Sequence, residues 1–304
     1  MQALFIGQSY IDVTFLADQL PTGDEKMVAQ EYAISFGGNA VTAAFCCAKL
    51  GLAPDLLTSV ADDWLGRMFV DMAARYGISV HHRKVKESSL SFIMPRGAQR
   101  AIVRCRDDEY LHPVPPLTLD GARGLHLDGH QPDAAIHYAK IFREAGVLTS
   151  LDGGGLRANT HDLLGLIDVA IVAERLCEQM NLDPPGMLDY LQGRGCRIGG
   201  VTQGAAGMVW YDEAGERRRL PSLAVPPQHV VDTNGAGDIF HGAYMYSAMA
   251  RPDLPWLDHF VFARAASTHA IQHLGNEASL PGLRDIDVAI ETWPERRPRA
   301  VAAE

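Results

Sequence analysis

The chain has 304 residues, of which 47% are hydrophobic and 21% are charged, and its formal net charge is −10. Such a chain can bury the core of one large α/β domain, and its acidic balance argues against a sequence-independent nucleic-acid binder, whose surface is usually basic. The five cysteines form no CxxC pair, and the sequence has neither an apolar run of about 18 residues nor a signal-peptide pattern. We therefore expect a cytoplasmic protein with reduced thiols, no membrane contact and no nucleic-acid partner.

Strands and helices alternate along most of the sequence. The apolar segment 3–6 predicts a first buried strand, and Asn39 is a candidate N-cap for a helix over 40–50. The same patterns predict further strands at 56–60, 147–151, 169–172 and 198–202, and further helices at 64–76, 134–145, 235–250 and 256–273. Strands that alternate with helices in this way predict an α/β fold with a mostly parallel central sheet and helices on both faces.

Two segments interrupt this alternation. Residues 14–36 and 88–106 show alternating apolar and polar side chains around turn residues, at 21–24 in the first segment and at Gly97 in the second. We interpret both segments as hairpins of one small β-sheet outside the main sheet. The predicted organisation is a single domain over 1–294 that carries this small sheet, followed by a disordered tail over 295–304.

The segment 230–243, VVDTNGAGDIFHGA, is the most informative part of the sequence. A short apolar strand leads into a loop of small residues, and the loop opens a helix. Small residues let the backbone approach a ligand closely, and free N–H groups at a helix start form an anion site. Asp238 falls in the first turn, where the helix dipole stabilises a carboxylate. An anion site beside a carboxylate suits phosphoryl transfer to a hydroxyl, whereas the simpler interpretation is that Asp232 and Asp238 cap a turn and a helix.

The string DTNGAGD at 232–238 resembles the C-terminal signature of the ribokinase (PfkB) family of carbohydrate kinases. Four further segments resemble motifs of that family in the same order: GGNAVTAA at 37–44, VADDWLG at 60–66, VTQGAAG at 201–207 and GNEASLP at 275–281. The resemblance covers nearly the whole chain. It implies a ribokinase-like fold whose small β-sheet is a lid, ATP and Mg²⁺ as cofactors, and a homodimer formed through the lid.

The resemblance also implies roles for individual residues around the acceptor. The catalytic group would comprise a general base and the backbone amides of an anion hole: Asp238, Gly235, Ala236 and Gly237. The acceptor-binding group would comprise residues of the first strand–loop and of the N-terminal signature: Asp12, Gly38 and Asn39. Asp128, after another predicted strand, matches a position where the family often has an acidic substrate contact, and a plain turn aspartate is the alternative.

A second set of residues is implied on the nucleotide side. The nucleotide-binding group would line the ATP phosphates, the ribose and the adenine: Thr202, Gly204, Gly207 and Gly275. Asp232 and Ser279 resemble positions that hold a monovalent cation, usually potassium, in several members of the family.

One motif departs from the family pattern. Many members carry N-x-x-E after the strand at 169–172, and its glutamate orients the water shell of Mg²⁺. This chain has Leu176 at the expected glutamate position and no asparagine. Glu174 or Glu178 could substitute, because a water-bridged contact tolerates displacement better than direct ligation. Solvent-facing glutamates at a helix start are the alternative, and of the two residues we favour Glu174.

Three further features stay open at the level of sequence. The run Asp152–Gly155 could approach a phosphate, or it could be a simple exit from a strand. Arg104 and Arg106 lie on the predicted lid, where each could reach an anionic group of a substrate or remain in solvent.

These patterns together predict an ATP-dependent kinase with Asp238 as the general base. The predicted acceptor is a monosaccharide or a sugar-like molecule, with a ketose or a sugar acid slightly favoured. A nucleoside kinase of the same fold is one alternative, and a non-catalytic sugar- or nucleotide-binding relative is another.

Overall fold

A large central sheet forms the frame of the protein. The computed structural model describes residues 1–17, 19, 22–96 and 99–296. Within them the large sheet has nine strands, in the spatial order β13 (Arg217–Leu220), β12 (Met208–Tyr211), β11 (Ile198–Thr202), β10 (Val169–Ala173), β9 (Leu148–Gly153), β8 (Gly124–Leu127), β1 (Ala3–Gly7), β4 (Pro54–Val60) and β5 (Ser79–Lys84). Every neighbouring pair from β11 to β5 is parallel, whereas β12 and β13 add an antiparallel edge. The predicted mostly parallel sheet is confirmed.

Helices cover both faces of this sheet. The described helices are α1 (Asn39–Leu50), α2 (Trp64–Arg75), α3 (Pro132–Glu144), α4 (Thr160–Leu164), α5 (Glu174–Gln179), α6 (Pro184–Gly193), α7 (Ala236–Ala250), α8 (Trp256–Ala270), α9 (Asn276–Ser279) and α10 (Leu283–Thr292). None of them is long and apolar enough to cross a membrane. Because side chains alternate along β1, Phe5 joins the apolar cluster with α1, α7 and α8, and Ile6 joins the cluster with α3 and α6.

The contact between α1 and α7 brings the two signature segments together. Gly242 on α7 packs so closely on α1 that a Cβ would lie 2.5 Å from the carbonyl oxygen of Ala43. The thiol of Cys47 also donates a hydrogen bond to the carbonyl oxygen of Gly242, over 2.9 Å. The N-termini of both helices therefore sit side by side at the carboxyl edge of the central sheet, where open α/β sheets bind ligands.

A separate sheet of four strands forms the predicted lid. Its order is β3 (Glu31–Gly37), β2 (Tyr10–Leu16), β6 (Leu90–Arg96) and β7 (Gln99–Cys105). The hairpins were predicted at the correct places, although β2 already begins at Tyr10. The predicted turn at 21–24 falls partly outside the described residues, and the predicted turn at Gly97 falls wholly outside them.

The two faces of the lid sheet differ in chemistry. Asp12 lies opposite Ser35 and Ser91, and Ser91 lies opposite Arg104, so these four side chains form a polar row. The adjacent positions form an apolar row across the same strands: Ile34, Val13, Phe92 and Val103. Asp12, Ser35 and Ser91 are buried, whereas Ile34 and Val103 are 42% and 67% exposed. The polar row therefore faces the central domain, and the apolar row is exposed at Ile34 and Val103, while Val13 also packs partly against the core cluster with α1, α7 and α8.

Two local expectations need correction. Gly38, with φ 108°, is the N-cap of α1, and Asn39 is the first helical residue, whose side chain does not cap the helix. A Cβ at Gly38 would overlap the carbonyl oxygen of Gln8, so the close approach of the chain requires glycine there. The ordered chain also extends past 294, because Glu295 pairs with Leu223 in an antiparallel bridge. The rest of the predicted tail, 297–304, lies outside the described residues.

Candidate active site

The predicted catalytic segment lies at the N-terminus of α7. Gly235 precedes this helix with φ 72°, in the left-handed region that glycine adopts at little cost. A Cβ at Gly235 would also overlap Oδ1 of Asn276. The N–H groups of the first turn, at Ala236, Gly237 and Asp238, have no acceptor inside the helix and point out of its end. The predicted anion hole therefore lies at a helix start whose geometry depends on glycine.

Asp238 is partly buried at this helix start. Burial and the negative charge of Asp152 raise the pKa of the Asp238 carboxyl group to about 8, against the positive charges of Arg100 and Arg104. We expected the helix dipole to keep this group ionised, but burial and the second carboxylate outweigh it. A carboxylate with a raised pKa is a stronger base, and proton transfer is most effective when the pKa lies near the working pH.

Asp152 acts on Asp238 and contacts other side chains of the site, so it does more than mark the exit from a strand. It lies on β9 with 6% of its surface exposed, and its Oδ2 accepts a hydrogen bond from Nδ2 of Asn39 over 2.9 Å. Nε2 of His241, one turn after Asp238 on α7, lies 3.6 Å from the other oxygen of Asp152. Burial raises the pKa of Asp152 as well. Elements β9, α1 and α7 therefore meet at one carboxylate.

A buried polar chain continues behind His241. Nδ1 of His241 lies 3.0 Å from the hydroxyl of Tyr244, which lies 2.6 Å from the hydroxyl of Ser150. The Ser150 hydroxyl in turn lies 2.9 Å from Nδ1 of His126. Burial lowers the pKa of both histidines to about 3, so both imidazoles are neutral at physiological pH. This chain links α7 to β8 and β9 directly beneath Asp152.

Asp12 approaches the site from the lid. It is 2% exposed, and its Oδ2 accepts hydrogen bonds from the side-chain amides of Asn276 and Asn234, over 3.2 and 3.5 Å. Burial raises the pKa of Asp12, and the charge of Arg104 and the hydrogen bonds oppose this shift. Its Oδ1 is buried and makes no hydrogen bond with the described residues. That oxygen can accept a hydrogen bond from an incoming hydroxyl.

Asp128 follows β8 and is also 2% exposed. Its Oδ1 accepts a hydrogen bond from the backbone N–H of His130 over 2.9 Å, and its Oδ2 accepts one from the N–H of Ala40 over 3.3 Å. Burial opposes ionisation of Asp128, but the charge and hydrogen bonds of His130 prevail and lower the pKa to about 2. Asp128 is therefore an anion at the start of α1, one helical position from Asn39.

Arg104 and Arg106, the two lid arginines whose roles the sequence left undecided, lie in different surroundings. Arg104 belongs to the polar row, and its positive charge opposes the rise in pKa that burial causes in Asp12 and Asp238. Arg106 instead forms an ion pair with Asp108, with 2.8 Å between nitrogen and oxygen. Arg104 is therefore the arginine of this pair whose charge acts on the site.

The nucleotide-side motif lies at the carboxyl end of β11. Thr202 ends this strand, and its hydroxyl donates a hydrogen bond to the carbonyl oxygen of Val172 on β10 over 3.3 Å. Gly204 and Gly207 enclose a single 3₁₀ turn with φ values of 53° and 91°. A Cβ at Gly207 would overlap the carbonyl oxygen of Leu220. The loop is therefore held close to the sheet on the same edge as the N-terminus of α7.

Asp232 and Ser279 meet at Gly275. Oδ1 of Asp232 accepts a hydrogen bond from the N–H of Asn234 over 2.8 Å, and its Oδ2 accepts one from the N–H of Gly275 over 3.2 Å. The hydroxyl of Ser279 donates to the carbonyl oxygen of Gly275 over 2.8 Å. Burial raises the pKa of Asp232, against the charge of Arg100. The two residues predicted to hold a monovalent cation thus both bond to the backbone of Gly275, and their oxygens keep further lone pairs.

Glu174 is exposed at the start of α5, and it accepts a hydrogen bond from the side-chain amide of Gln203 over 3.1 Å. Leu176 is fully buried, so the usual glutamate position of the motif belongs to the apolar core here. Glu178 is exposed on the same helix. Over 1–17, 19, 22–96 and 99–296, no group of three or more His, Cys, Asp or Glu could hold a metal ion. Of the two glutamates, Glu174 is the one that contacts the predicted nucleotide loop.

Two residues of this site were missed in the sequence. His241 lies three positions after Asp238 on one helix face, and this spacing could have identified it. Asn276 lies in the segment 275–281 that the motif comparison picked out, but its contact with Asp12 spans 264 positions of the chain and leaves no local pattern.

The match to known proteins extends over most of the chain. The family model described as pfkB family carbohydrate kinase matches residues 2–282. A nucleoside kinase from Methanothermobacter thermautotrophicus is 21% identical over 301 residues, which cover 91% of this chain and 92% of that protein. A ribokinase from Mus musculus is 23% identical over 304 residues, which cover 94% of this chain and 93% of that protein.

A solved structure supports the same fold. The ribokinase of Arabidopsis thaliana, complexed with ribose and ATP, superposes with a TM-score of 0.73 at 21% identity and covers 95% of this chain and 98% of its own. At this identity the likeness shows the fold, including the separate lid sheet, and confirms the ribokinase-like prediction. The chain belongs to the pfkB family of carbohydrate kinases, and its activity is ATP-dependent phosphoryl transfer to a sugar or a nucleoside.

Proposed function

We propose that the protein transfers the γ-phosphoryl group of ATP to a hydroxyl group of a monosaccharide or close analogue, with a ketose or a sugar acid as the preferred acceptor. The acceptor oxygen forms a bond to the γ-phosphorus while the bond from that phosphorus to the bridging oxygen breaks. ADP leaves with the electron pair, and the hydroxyl proton passes to Asp238. The observation that carries this proposal is the position of Asp238 beside the free amides that begin α7.

Two properties of Asp238 support its role as the base. Its pKa of about 8 lies near physiological pH, so a fraction of the group is deprotonated there, and that carboxylate binds a proton well. The amides of Gly235, Ala236 and Gly237 would face the transferring phosphoryl group and stabilise its charge, without reorganising during the reaction. Base and anion hole are thus supplied by consecutive residues of one helix start.

The acceptor would lie between the lid and the N-terminus of α1. Asp12 offers its free Oδ1 to a hydroxyl, and the ionised Asp128 offers a second strong acceptor. Gly38 and Asn39 at the start of α1 would complete the acceptor site, and the side-chain amide of Asn39 is held by Asp152. Several carboxylates in a small buried volume suit a ligand that carries many hydroxyl donors.

ATP would bind at the carboxyl edge of β11. Thr202, Gly204 and Gly207 would line its phosphates and ribose, and the loop that begins at Gly275 would close on the adenine. Lid closure would then exclude water and limit wasteful hydrolysis of ATP.

Two ions would complete the nucleotide site. Bound Mg²⁺ neutralises charge on the phosphates and is held mainly by them and by water, so few protein ligands are needed. Glu174 is the residue that would orient this water shell, since it already contacts the nucleotide loop through Gln203. A potassium ion would be held beside the anion hole by Asp232 and Ser279, which are adjacent at Gly275.

Positive charges on the lid support an acidic acceptor. Arg104 lies in the polar row. Arg100 donates a hydrogen bond from Nη1 to the hydroxyl of Thr233 over 3.4 Å, in the loop that leads into the predicted anion hole at the start of α7. Guanidinium groups pair strongly with carboxylates and other oxyanions. In a chain of net charge −10, two arginines directed at the same cleft favour a sugar acid over a neutral pentose.

Two other functions remain as alternatives. A nucleoside acceptor is compatible with the same fold and the same base, as the archaeal relative illustrates. A non-catalytic binding protein is favoured only by the buried Leu176, which removes the usual glutamate of the magnesium motif. The lid would also form a homodimer through its outer face, and the protein would work in the cytoplasm.

ATP consumption over a panel of ketoses, sugar acids, aldoses and nucleosides tests this proposal. Asp238→Asn should lower kcat by at least about a hundredfold on the best acceptor, because the proton then lacks a base. The same variant should keep the rise in Tm that the acceptor produces, since its shape is unchanged. Asp253→Asn, an identical substitution in the exposed segment after α7, should leave kcat unchanged.

Two results would count against the proposal. A near-normal rate for Asp238→Asn would remove Asp238 as the base. A lack of turnover with every acceptor, together with clear stabilisation by a sugar, would favour the binding protein.

A further inference from the structure

One side chain, Asn276, joins the nucleotide side of the cleft to the acceptor side. It is 1% exposed and begins the single-turn helix α9. Its Nδ2 donates to Oδ2 of Asp12 over 3.2 Å and to the carbonyl oxygen of Phe36 over 2.8 Å. Its backbone N–H donates to the hydroxyl of Ser35 over 3.2 Å. Asn276 therefore binds two lid strands, β2 and β3, through three hydrogen bonds.

The same side chain also contacts the anion-hole loop. Oδ1 of Asn276 accepts a hydrogen bond from Nδ2 of Asn234 over 3.5 Å. It also fills the space that a Cβ of Gly235 would occupy, so it packs directly against the residue that opens α7. Both amide protons and the carbonyl oxygen of Asn276 are thus committed to other segments.

The backbone of this segment is tied to the predicted cation position. Gly275, the preceding residue, donates its N–H to Asp232 over 3.2 Å, and its carbonyl oxygen accepts from Ser279 over 2.8 Å. A cleft of about 290 Å³ lies between this segment and β3, lined in part by Ser35, Gly275 and Glu277. A shift of the 275–279 segment must therefore move the hydrogen bonds that hold Asp12.

We propose that Asn276 is a positioning residue that couples nucleotide binding to acceptor binding, by holding Asp12 and the anion-hole loop at fixed distances from the 275–279 segment. This inference rests on the proposed function, because it assumes that Asp12 binds the acceptor. A ligand that orders the segment also orders the two amide donors on Asp12, so the second ligand meets a site that is already arranged. Such coupling is reciprocal and typically changes affinity about 5- to 150-fold.

The test compares the affinity of one acceptor with and without a saturating non-hydrolysable ATP analogue and Mg²⁺. The acceptor is the panel sugar with the highest turnover, and affinities come from titration calorimetry. We expect the analogue to tighten acceptor binding at least about fivefold in the unmodified protein. Asn276→Ala should reduce this factor to about one, while the analogue alone still binds with an affinity within about threefold of normal.

Two more variants make the test specific. Asn276→Asp keeps the shape of the side chain and removes the two amide protons, so it should also abolish the coupling. This variant keeps the proposal testable if the alanine variant folds poorly. Glu277→Gln changes the next residue of α9, whose carboxylate contacts Tyr76 and Arg75 on α2 and its C-cap, and it should keep the full coupling.

The outcomes separate the two proposals. Coupling that persists in Asn276→Ala and Asn276→Asp, or that is lacking in an unmodified protein with normal turnover, would overturn the role of Asn276. A protein without turnover on any acceptor would overturn the kinase proposal instead. Loss of coupling in both Asn276 variants and its retention in Glu277→Gln would support the inference.

Discussion

The chemistry of the site depends on how two carboxylates share one buried space. Asp238 has a pKa of about 8 because it is buried and because Asp152 is negatively charged nearby. A general base works only when it is deprotonated, so kcat/KM should rise with pH and level off above about 8. A pH profile of kcat/KM for the acceptor, with ATP saturating, measures this on the enzyme–ATP complex. A flat profile between pH 6 and about 9 would contradict the assignment.

Asp152→Asn provides the control for that profile. The substitution removes one negative charge and keeps the shape of the side chain, so ionisation of Asp238 becomes easier. The midpoint of the profile should therefore move to lower pH, which a merely structural role of Asp152 would not produce. Asp128 and Arg104 also act on Asp238, but neither is changed in this variant.

The sequence predicted residues in motifs and missed residues that depend on tertiary contacts. Asp238 and Asp128 were singled out because each follows a strand or opens a helix, and the structure places both among buried polar groups. Asn39 was placed at the right helix start, but its predicted role as the N-cap was wrong, because its side chain bonds to Asp152, 113 positions away. A free capping side chain and one recruited by a distant carboxylate look identical in a single sequence.

At the scale of the element, the start of α7 contains two glycines, which differ in whether their backbone and surroundings could accept a side chain. Gly235 has φ 72° and faces Asn276, so Gly235→Ala should destabilise the fold by at least about 1 kcal/mol, from the left-handed backbone alone. Urea unfolding measures the free energy of unfolding. Loss of kinase activity should accompany this destabilisation, because the amides of the first turn would shift.

Gly237→Ala is the matched control in the same turn. A Cβ there meets no heavy atom within 4 Å, and the residue lies in a regular helix. The free energy of unfolding should therefore stay constant or rise by up to about 1 kcal/mol, as glycine is a poor helix former. If this variant folds normally but loses activity, its amide lies close to the phosphoryl group. Equal destabilisation by both substitutions would contradict our account of the turn.

Elements were easier to predict than their boundaries. The helix over 40–50 and the helical part of 230–250 were predicted correctly, because apolar periodicity and neighbouring glycines mark both. The short strand predicted before α7 was wrong, because the N–H groups of Val231 and Asp232 bond to the carbonyl oxygen of Ile271 and not to a neighbouring strand. The helix predicted over 256–273 ends at Ala270 in the structure. The weak apolar periodicity of the sequence continues for three more residues, which do not belong to the helix. The lid sheet was predicted as two hairpins, but the parallel pairing of β2 with β6 joins distant segments and leaves no local signal.

At the scale of the whole molecule, the outer face of the lid is the surface that our dimer proposal requires. Ile34, Val13, Phe92 and Val103 form an apolar row that is partly or largely exposed. Exposed apolar faces of this kind are typical of protein interfaces. Val103→Lys should therefore convert a dimer into a monomer in sedimentation velocity at micromolar concentration. Val288→Lys, on the exposed side of α10, should leave the sedimentation coefficient unchanged, and a monomeric unmodified protein would contradict the proposal.

The alternation of side chains along β2 has a consequence for how this protein can change in evolution. Asp12 and Val13 are neighbours on one strand and belong to opposite faces of the lid. Insertion or deletion of a single residue within the strand would turn the buried aspartate towards solvent and the hydrophobic neighbour towards the central domain, because the repeat is two residues. Length variation among descendants should therefore accumulate in the connection between β2 and β3, while the strands themselves tolerate substitutions only.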